Sequence, residues 1–546
     1  MKRTIYTIVG AVAMTGLLLS GCAKDDSLTE ITTPEENITS ETTDPVIKAL
    51  SAIPGISGVE LKYNETHTDS AYYFLFTQPV DHYNPQRGTY KQQAALRFKG
   101  FDNNMVVYTN GYSMDEGFSG IRDTDMRQQV NGNQLNIEHR YFGKSMPENQ
   151  EDLKFTYFNA DQQAHDIHAL CSALKPLFKN GKWISTGTSK DGITTALQAY
   201  YSDQNGWHDI DVYIPFCAPF LPGTDLADGT HTPLDTLTGV YKNRVCGSGY
   251  PAGSDEAKAF ERIQKTTYYI CTNKAIRDAV VSAFYVSSPE DYAKILEQYE
   301  NKDAHSTGDL EKDKTAFAVY AFENNAFFWF SHVPFTRWAK YVPDPVLLAS
   351  DEATKADFDA FKAFIVMDQT ALEKWLEEKE KQSGSASDGT STRAGDTTSL
   401  WDFLQLLRKD SSNAYELQSY KELGISFSNY SLVDGNNLTS QQAFDVTSCL
   451  ALKFPQGVYT HDNGVLMKNF RQWCYTETSQ PILFVYSKND PWTGGAPDDA
   501  AFRQNPTIQK VVDPIGVHHD AFKQRERFTL STEQTIIDFL KTHGVQ

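Results

Sequence analysis

Short apolar segments alternate with amphipathic helices in two separate blocks of this chain. In the first block, strands are predicted over residues 105–108, 134–138, 183–186 and 212–216, and helices over residues 161–177 and 192–201. In the second block, strands are predicted over residues 481–486 and 509–512, and a helix over residues 532–540. Alternation of this kind is typical of a parallel sheet with helices on its faces. The sequence therefore predicts an α/β fold.

A long stretch between the two blocks has a different pattern. Residues 225–468 are predicted to be mostly helical, with long helices over residues 315–328 and 353–378. Within it, residues 382–398 are rich in Ser, Gly, Thr and Asp, which indicates a disordered surface loop. We therefore predict one α/β domain built from residues 47–224 and 469–546, interrupted by a helical cap over residues 225–468.

The first residues have the pattern of an export signal. Lys2 and Arg3 precede an apolar run over residues 8–19, which is too short to span a bilayer comfortably. The run ends in Leu-Ser-Gly before Cys22, which looks like a bacterial lipobox with an acylated Cys; a soluble secreted protein cut elsewhere is the alternative. Residues 1–22 are therefore predicted to be a lipoprotein signal with the lipidated Cys22, and the polar residues 23–46 a disordered tether.

The acids after Lys24 resemble the short signal that sends some lipoproteins to the outer cell surface. We accordingly expect an outer-membrane lipoprotein at the cell surface, with a periplasm-facing protein as the alternative. The formal net charge of −20 argues against nucleic acid as a partner.

The cysteines and histidines give little sign of a metal site. Six cysteines follow Cys22, and a bridge between Cys246 and Cys271 is as plausible as buried free thiols. No cysteine pair has zinc-finger spacing, and no further ligands cluster near His165 and His168. We therefore expect neither a metal nor an organic cofactor.

A strand–turn–helix around Ser189 is the first candidate for chemistry. Gly187 and Ser189 lie between a predicted strand and a predicted helix, where a sharp turn can present a serine hydroxyl at the carboxyl edge of the sheet. The backbone N–H of Lys190 would then point at a developing oxyanion, helped by the positive end of the helix. A plain helix-capping serine is the alternative, because a Gly-x-Ser before a helix is common.

Two later residues strengthen the catalytic interpretation. Asp490 follows one predicted strand, and His518 follows the next. Ser, then acid, then His is the chain order of an α/β-hydrolase triad, in which the His takes the Ser proton and the acid orients the imidazole. The predicted fold is thus an α/β-hydrolase sheet with a large, mostly helical cap inserted between nucleophile and acid. His519 is the alternative base; Gly516 favours His518, because it suits a tight loop.

Longer motifs in the same regions resemble the secreted bacterial tripeptidyl aminopeptidase family of serine peptidases, and more distantly prolyl carboxypeptidase and dipeptidyl peptidase II. They are Glu-His-Arg-Tyr-Phe-Gly-Lys-Ser-Met-Pro at residues 138–147, the elbow at Ser189, Phe-Val-Tyr-Ser-Lys-Asn-Asp-Pro-Trp at residues 484–492 and the loop at residues 516–518. The resemblance implies an exopeptidase that removes short peptides from free N-termini, often after Pro or another small residue, with peptides as its partners.

Positions carried over from this resemblance give the expected roles. Ser189 is the nucleophile, Asp490 the acid and His518 the base. The oxyanion donors would be the backbone N–H groups of Lys190 and Tyr112.

A substrate amine needs an acidic partner, for which Glu138, Asp115 and Glu116 are candidates. An ion pair of Glu138 with Arg140 that braces the strand end is the alternative for Glu138.

One residue departs from the usual elbow. Asp191 stands two residues after Ser189, where a glycine is usual because a side chain would crowd the neighbouring strand. A carboxylate there would also oppose an oxyanion. The sequence therefore leaves three functions open: a serine exopeptidase releasing di- or tripeptides, an esterase or lipase on the same triad, and a catalytically inactive surface binding protein.

Overall fold

The computed structural model describes residues 44–64, 69–114, 122–147, 156–219, 252–283, 311, 314, 315, 318, 322, 339–366, 368–382, 465–497, 505–525 and 527–545. The strands in these residues are β1 (Ile56–Tyr63), β2 (Ser70–Pro79), β3 (Thr89–Arg97), β4 (Met105–Thr109), β5 (Asn133–Ile137), β6 (Trp183–Thr188), β7 (Val212–Phe216), β8 (Ile482–Ser487) and β9 (Ile508–Asp513). The α-helices are α1 (Pro45–Ser51), α2 (Asp125–Gln129), α3 (Ala160–Leu174), α4 (Lys190–Asn205), α5 (Asp255–Thr272), α6 (Lys274–Ala283), α7 (Pro345–Leu348), α8 (Lys355–Ile365), α9 (Gln369–Gln382), α10 (Val465–Thr476) and α11 (Leu530–Thr542).

All nine of these strands join one sheet in the order β1-β2-β3-β5-β4-β6-β7-β8-β9. The pairs β1–β2, β2–β3 and β3–β5 are antiparallel, whereas every pair from β5 to β9 is parallel. The exchange of β4 and β5 beside the antiparallel β3 is the strand order of an α/β-hydrolase, extended at one edge by β1. Because β4 to β9 run in parallel, their carboxyl ends meet at one edge of the sheet.

Successive side chains of the parallel strands enter two different cores. Trp183, Phe484 and Tyr486 pack on the face covered by α1, α3, α4 and α10. Ile184 and Val485 pack on the opposite face, beneath α2 and α11. Burial on both faces explains why β4, β7 and β8 consist largely of apolar residues. The bounds of all six parallel strands agree with the sequence prediction to within two residues.

No strand is predicted before residue 105, so the antiparallel edge formed by β1 to β3 differs from the expectation. β2 carries an apolar and aromatic run over residues 71–76, so a signal was available there, whereas polar residues interrupt the pattern in β1 and β3. The predicted tether is also too long by two residues, because α1 begins at Pro45. Asp44 caps this helix by accepting the N–H of Val46 (2.8 Å), and Val46 is buried against the sheet.

Among the described residues between β7 and β8 there are helices and no strand, and α10 extends beyond residue 468, the predicted end of the cap. The helices hold one another through contacts such as Arg262 Nη1 to the Val342 carbonyl (3.1 Å) and Lys379 Nζ to Asp357 Oδ1 (2.7 Å). The helix predicted over residues 353–378 is two helices, α8 and α9. Most of the helix predicted over residues 315–328, and all but the first residue of the loop predicted over 382–398, lie outside the described residues. No helix among the described residues is long and apolar enough to cross a membrane.

Candidate active site

Ser189 occupies a sharp turn at the carboxyl end of β6. The strand ends at Thr188 and α4 begins at Lys190, so Ser189 alone connects them, with φ +61° and ψ −123°. Its N–H donates to the Phe216 carbonyl of β7 (2.9 Å), and its carbonyl accepts the Ile193 N–H of α4 (2.9 Å). A positive φ is strained for a residue with a β-carbon, and strain of this kind is typical of a nucleophile elbow.

Two glycines allow the elbow to pack closely. A β-carbon on Gly187 would lie 2.6 Å from the backbone of Asp191, and one on Gly192 would lie 2.6 Å from the Phe216 carbonyl oxygen. The contact with the neighbouring strand is therefore made by Gly192, not by the residue two positions after Ser189. Asp191 turns its side chain toward the loop after β4 instead, so the steric conflict expected at this position does not arise.

Asp490 and His518 meet at the same edge of the sheet. Asp490 follows β8 and is fully buried, while His518 lies on the loop after β9 and is 9% exposed. Asp490 Oδ2 lies 2.7 Å from His518 Nδ1, and Asp490 Oδ1 accepts the N–H of Trp492 (3.0 Å). The second bond fixes the rotation of the carboxylate, so one oxygen always faces the imidazole.

Asp513 shapes the loop that carries His518, although the sequence analysis did not select it. Its Oδ1 accepts the N–H of Gly516 (2.7 Å), and its Oδ2 accepts the N–H of Thr529 (2.8 Å) at the start of α11. A β-carbon on Gly516 would lie 2.4 Å from Ser487 Oγ, so only glycine allows this approach of the loop to β8. An acid directly after the strand predicted over residues 509–512 was the available signal.

Cys217 connects the elbow with the Asp490–His518 pair. It follows Phe216, the residue that accepts the Ser189 N–H, and its Sγ, Asp490 and His518 offer atoms within 4.8 Å of one another. Ser189 and the Asp490–His518 pair thus both contact residues 216–217 at the end of β7. Burial raises the pKa of the Cys217 thiol well above its usual value, so the thiol stays neutral.

Two other cysteines of the described part of the chain are also buried thiols. Cys171 and Cys474 are buried and free. Cys246 lies outside the described residues, so its pairing with Cys271 stays a prediction.

His519, the alternative base, faces away from Asp490. Its Nδ1 accepts the N–H of Ala521 (2.9 Å), and burial lowers its pKa to about 4. Its neighbour Asp520 forms an ion pair with Arg122. Burial opposes the ionisation of Asp520, but the Arg122 guanidinium outweighs it and holds the pKa of the carboxyl well below its usual value. The structure therefore pairs His518, and not His519, with the predicted acid.

Glu138 is enclosed and organises backbone. Its carboxylate accepts the N–H groups of Met114 (2.6 Å), Lys144 (2.9 Å) and Ser145 (2.9 Å), and also the Ser145 hydroxyl (2.7 Å). Burial raises the pKa of Glu138 to about 7, against the pull of these donors toward the ionised form. With no exposed surface, Glu138 is not placed to contact a substrate amine.

The predicted ion pair between Glu138 and Arg140 is also absent. Arg140 forms a bidentate pair with Asp166 of α3, with Nε to Oδ2 at 2.6 Å and Nη2 to Oδ1 at 2.7 Å, and both side chains are fully buried. Asp115 and Glu116, the other candidates for binding an amine, lie outside the described residues, as does Cys22.

The two predicted oxyanion donors lie on neighbouring elements. Lys190 is the first residue of α4, and Tyr112 lies in the loop after β4. The Lys190 ammonium lies 5.6 Å from the centre of the Tyr112 ring and 5.3 Å from that of Phe142. The Tyr112 carbonyl accepts the N–H of His139 (3.3 Å), which ties this loop to the end of β5.

Comparisons of the sequence with known proteins find matches in the first part of the chain. Residues 41–225 match the family described as PS-10 peptidase S37. A prolyl tri/tetrapeptidyl aminopeptidase from Streptomyces mobaraensis is 33% identical over 210 residues. The match covers 38% of this chain and 40% of the length of that relative.

Solved structures resemble the chain only loosely. Proline iminopeptidase from Mycobacterium smegmatis has a TM-score of 0.32 and 10% identity, over 86% of this chain and 98% of that one. A rice cell wall degrading esterase from Xanthomonas oryzae has a TM-score of 0.32 and 11% identity, over 90% and 98%. Likenesses at this level add nothing to the strand order. The family match covers residues 41–225, which carry the elbow and the loops around it.

Proposed function

We propose that this protein is a serine exopeptidase that releases short peptides from free N-termini through an acyl-enzyme on Ser189. The observation that carries the proposal is the strained turn at Ser189 beside a buried acid–imidazole pair, with Asp490 Oδ2 at 2.7 Å from His518 Nδ1. Nucleophile, acid and base all follow parallel strands of one sheet, and this supports the α/β-hydrolase mode of catalysis.

The chemistry follows from this arrangement. Asp490 holds the proton of the imidazole on Nδ1, so Nε2 takes the Ser189 proton as Oγ attacks the scissile carbonyl carbon. The same proton then passes to the leaving amine, and water releases the peptide from Ser189 in a second step. The N–H groups of Lys190 and Tyr112 stabilise the oxyanion, and the positive end of α4 adds to the field.

Aminopeptidase activity is supported by the relative from Streptomyces mobaraensis, whose name describes a prolyl tri/tetrapeptidyl aminopeptidase. The aligned 210 residues are 33% identical, and the alignment covers only 38% of this chain. We propose di- or tripeptides as the products and a preference for cleavage after Pro.

We also propose that the protein is an outer-membrane lipoprotein anchored through acyl chains on Cys22. The support is the sequence alone: a basic start, an apolar run over residues 8–19 and Leu-Ser-Gly before Cys22. Metabolic labelling with a fatty acid in the native host should mark the protein, and Cys22→Ala should abolish the label. Labelling that persists in the variant would exclude this anchor.

The catalytic proposal is tested with a fluorophosphonate probe that reacts with activated serines. The protein, Ser189→Ala and the control Ser172→Ala, which changes an exposed serine on α3, are compared at equal concentration. We expect labelling of the protein and of the control, and none of Ser189→Ala. A mixed library of short peptides, with free and with acetylated N-termini, then identifies the products by mass spectrometry.

Each outcome decides between the functions left open by the sequence. Release of di- or tripeptides from free N-termini supports the exopeptidase and gives its step length. Labelling with ester turnover but no peptide release would favour an esterase. A folded protein without labelling would make the triad inactive and favour a binding protein.

A further inference from the structure

The loop after β4, residues 110–112, rests directly on the two side chains that follow the nucleophile. The Gly111 N–H donates to Asp191 Oδ1. A β-carbon on Gly111 would lie 2.7 Å from this same oxygen and 2.8 Å from Lys190 Cγ. The next residue, Tyr112, has the Lys190 ammonium above its ring at 5.6 Å. The loop therefore has no room to move closer to α4.

Further bonds join the end of β4 to Asp191. The Thr109 hydroxyl donates to the Asp191 carbonyl (2.9 Å) and lies 2.7 Å from the Thr195 hydroxyl. The Tyr108 hydroxyl is a second donor to the Asp191 carboxylate, besides the Gly111 N–H. Backbone and side chain of Asp191 thus both contact the segment that leads into the predicted oxyanion loop. A glycine, usual at this position, could supply the backbone contact alone.

The charge of Asp191 is directed at these donors. Burial raises the pKa of Asp191 to about 7, and the Gly111 N–H and the Lys190 charge oppose this rise. The carboxylate of Asp191 is thus engaged by donors from β4 and the loop that follows it. This differs from the antagonism toward an oxyanion that the sequence suggests.

We propose that Asp191 is a positioning residue, whose carboxylate clamps the loop 110–112 so that the Tyr112 N–H is held as an oxyanion donor beside the Lys190 N–H. The inference rests on the proposed function, because it assigns a role in the same acyl transfer. Preorganised donors are worth a large factor in rate, because a loop that moves must be fixed again at each transition state.

Two substitutions separate clamping from antagonism. Asp191→Asn keeps a carbonyl oxygen for the Gly111 N–H, whereas Asp191→Ala removes the acceptor. Asp203→Ala serves as a matched control, because it removes a carboxylate from the far end of α4, where Asp203 accepts the Trp473 indole N–H (2.7 Å). For each protein, two quantities are measured: kcat and KM for a peptide substrate that the library assay shows to be cleaved, and the rate of fluorophosphonate labelling.

We expect kcat of Asp191→Ala to fall by about 10- to 100-fold with KM within about threefold, since removing one oxyanion donor outright costs about 10²- to 10³-fold. Asp191→Asn should retain kcat within about fivefold, and the control should match the unsubstituted protein. An unchanged or raised kcat in Asp191→Ala would overturn the clamp, and so would a loss confined to KM.

A second measurement does not depend on activity. Amide hydrogen exchange in a peptide covering residues 108–114 should be faster in Asp191→Ala than in Asp191→Asn or in the control. If the unsubstituted protein is not labelled at Ser189, the proposed function fails, and exchange alone decides about the clamp. Equal exchange in all four proteins would refute it.

Discussion

Replacing Asp490 by Asn tests the acid–base pair at nearly constant shape. In the folded protein, one oxygen of Asp490 accepts the Trp492 N–H (3.0 Å) and the other lies 2.7 Å from His518 Nδ1. An Asn side chain has only one oxygen for these two positions. If the Asn oxygen still accepts the N–H of Trp492, the amide NH2 faces the imidazole and donates to Nδ1. The imidazole proton must then sit on Nε2, which cannot accept the proton of Ser189.

The opposite orientation of the amide is disfavoured. Its oxygen would accept from His518 Nδ1, but its NH2 would face the N–H of Trp492 in a fully buried position. A buried donor without an acceptor costs about 1–3 kcal/mol, so the productive tautomer would be a minor species. The imidazolium formed in the transition state would also lose the adjacent negative charge. In a Ser-His-Asp triad, the two effects together lower kcat by about 10⁴-fold, or about 5.4 kcal/mol.

Three quantities are measured for Asp490→Asn: the rate of fluorophosphonate labelling, kcat for a cleaved peptide substrate, and the midpoint of thermal unfolding. We expect a loss of about 10³- to 10⁴-fold in both rates, with the midpoint little changed, because the bond to Trp492 survives. A loss below about tenfold would refute the assignment of Asp490 as the acid. A large fall of the midpoint would show that the rate loss reflects unfolding instead.

Three other predictions concern residues around the site. Arg140→Met leaves the buried Asp166 carboxylate without its bidentate partner, so the free energy of unfolding measured in urea should fall by about 3–5 kcal/mol; an unchanged midpoint would contradict this role. Gly192→Ala places a methyl group 2.6 Å from the Phe216 carbonyl oxygen, so stability should fall by about 1–3 kcal/mol and fluorophosphonate labelling should slow. Glu138→Gln turns an NH2 toward backbone donors, so limited proteolysis within residues 142–147 should become faster, at a cost of about 1–3 kcal/mol; unchanged proteolysis would argue against the loop-organising role.

The parts of the fold predicted from sequence are those with strong local signals. Strands such as β7, Val212–Phe216, are buried on both faces and read as short apolar runs, so their positions follow from the sequence. Of the antiparallel strands, β1 alternates with exposed polar residues and β3 contains buried polar ones, so neither gives such a run; β2 does carry one over residues 71–76, yet no strand was predicted there. The single helix expected over residues 353–378 is divided because Val366 ends α8 and a new helix starts at Gln369, although the apolar spacing continues.

The site shows the same division between local and distant signals. Ser189 and Asp490 stand directly after strands, and parallel strands must bring their carboxyl ends together, so the pattern along the chain was sufficient to select them. Glu138 also stands at a strand end, yet its carboxylate is fully engaged in hydrogen bonds to backbone N–H groups of the loops. The role of Glu138 depends on which N–H groups of the following loop point toward it. The spacing of residues in the sequence does not predict this loop conformation.

By itself, the sequence determined the α/β alternation, the helical insertion and the three residues proposed as the triad, because periodic burial and strand ends are properties of neighbouring residues. The tertiary structure decided which of two adjacent histidines faces Asp490. It also decided that Arg140 pairs with Asp166, and that Asp191 bonds to Gly111 of the loop after β4. These contacts join residues 26 to 80 positions apart. They depend on strand register and loop packing, which arise only when the whole sheet has assembled.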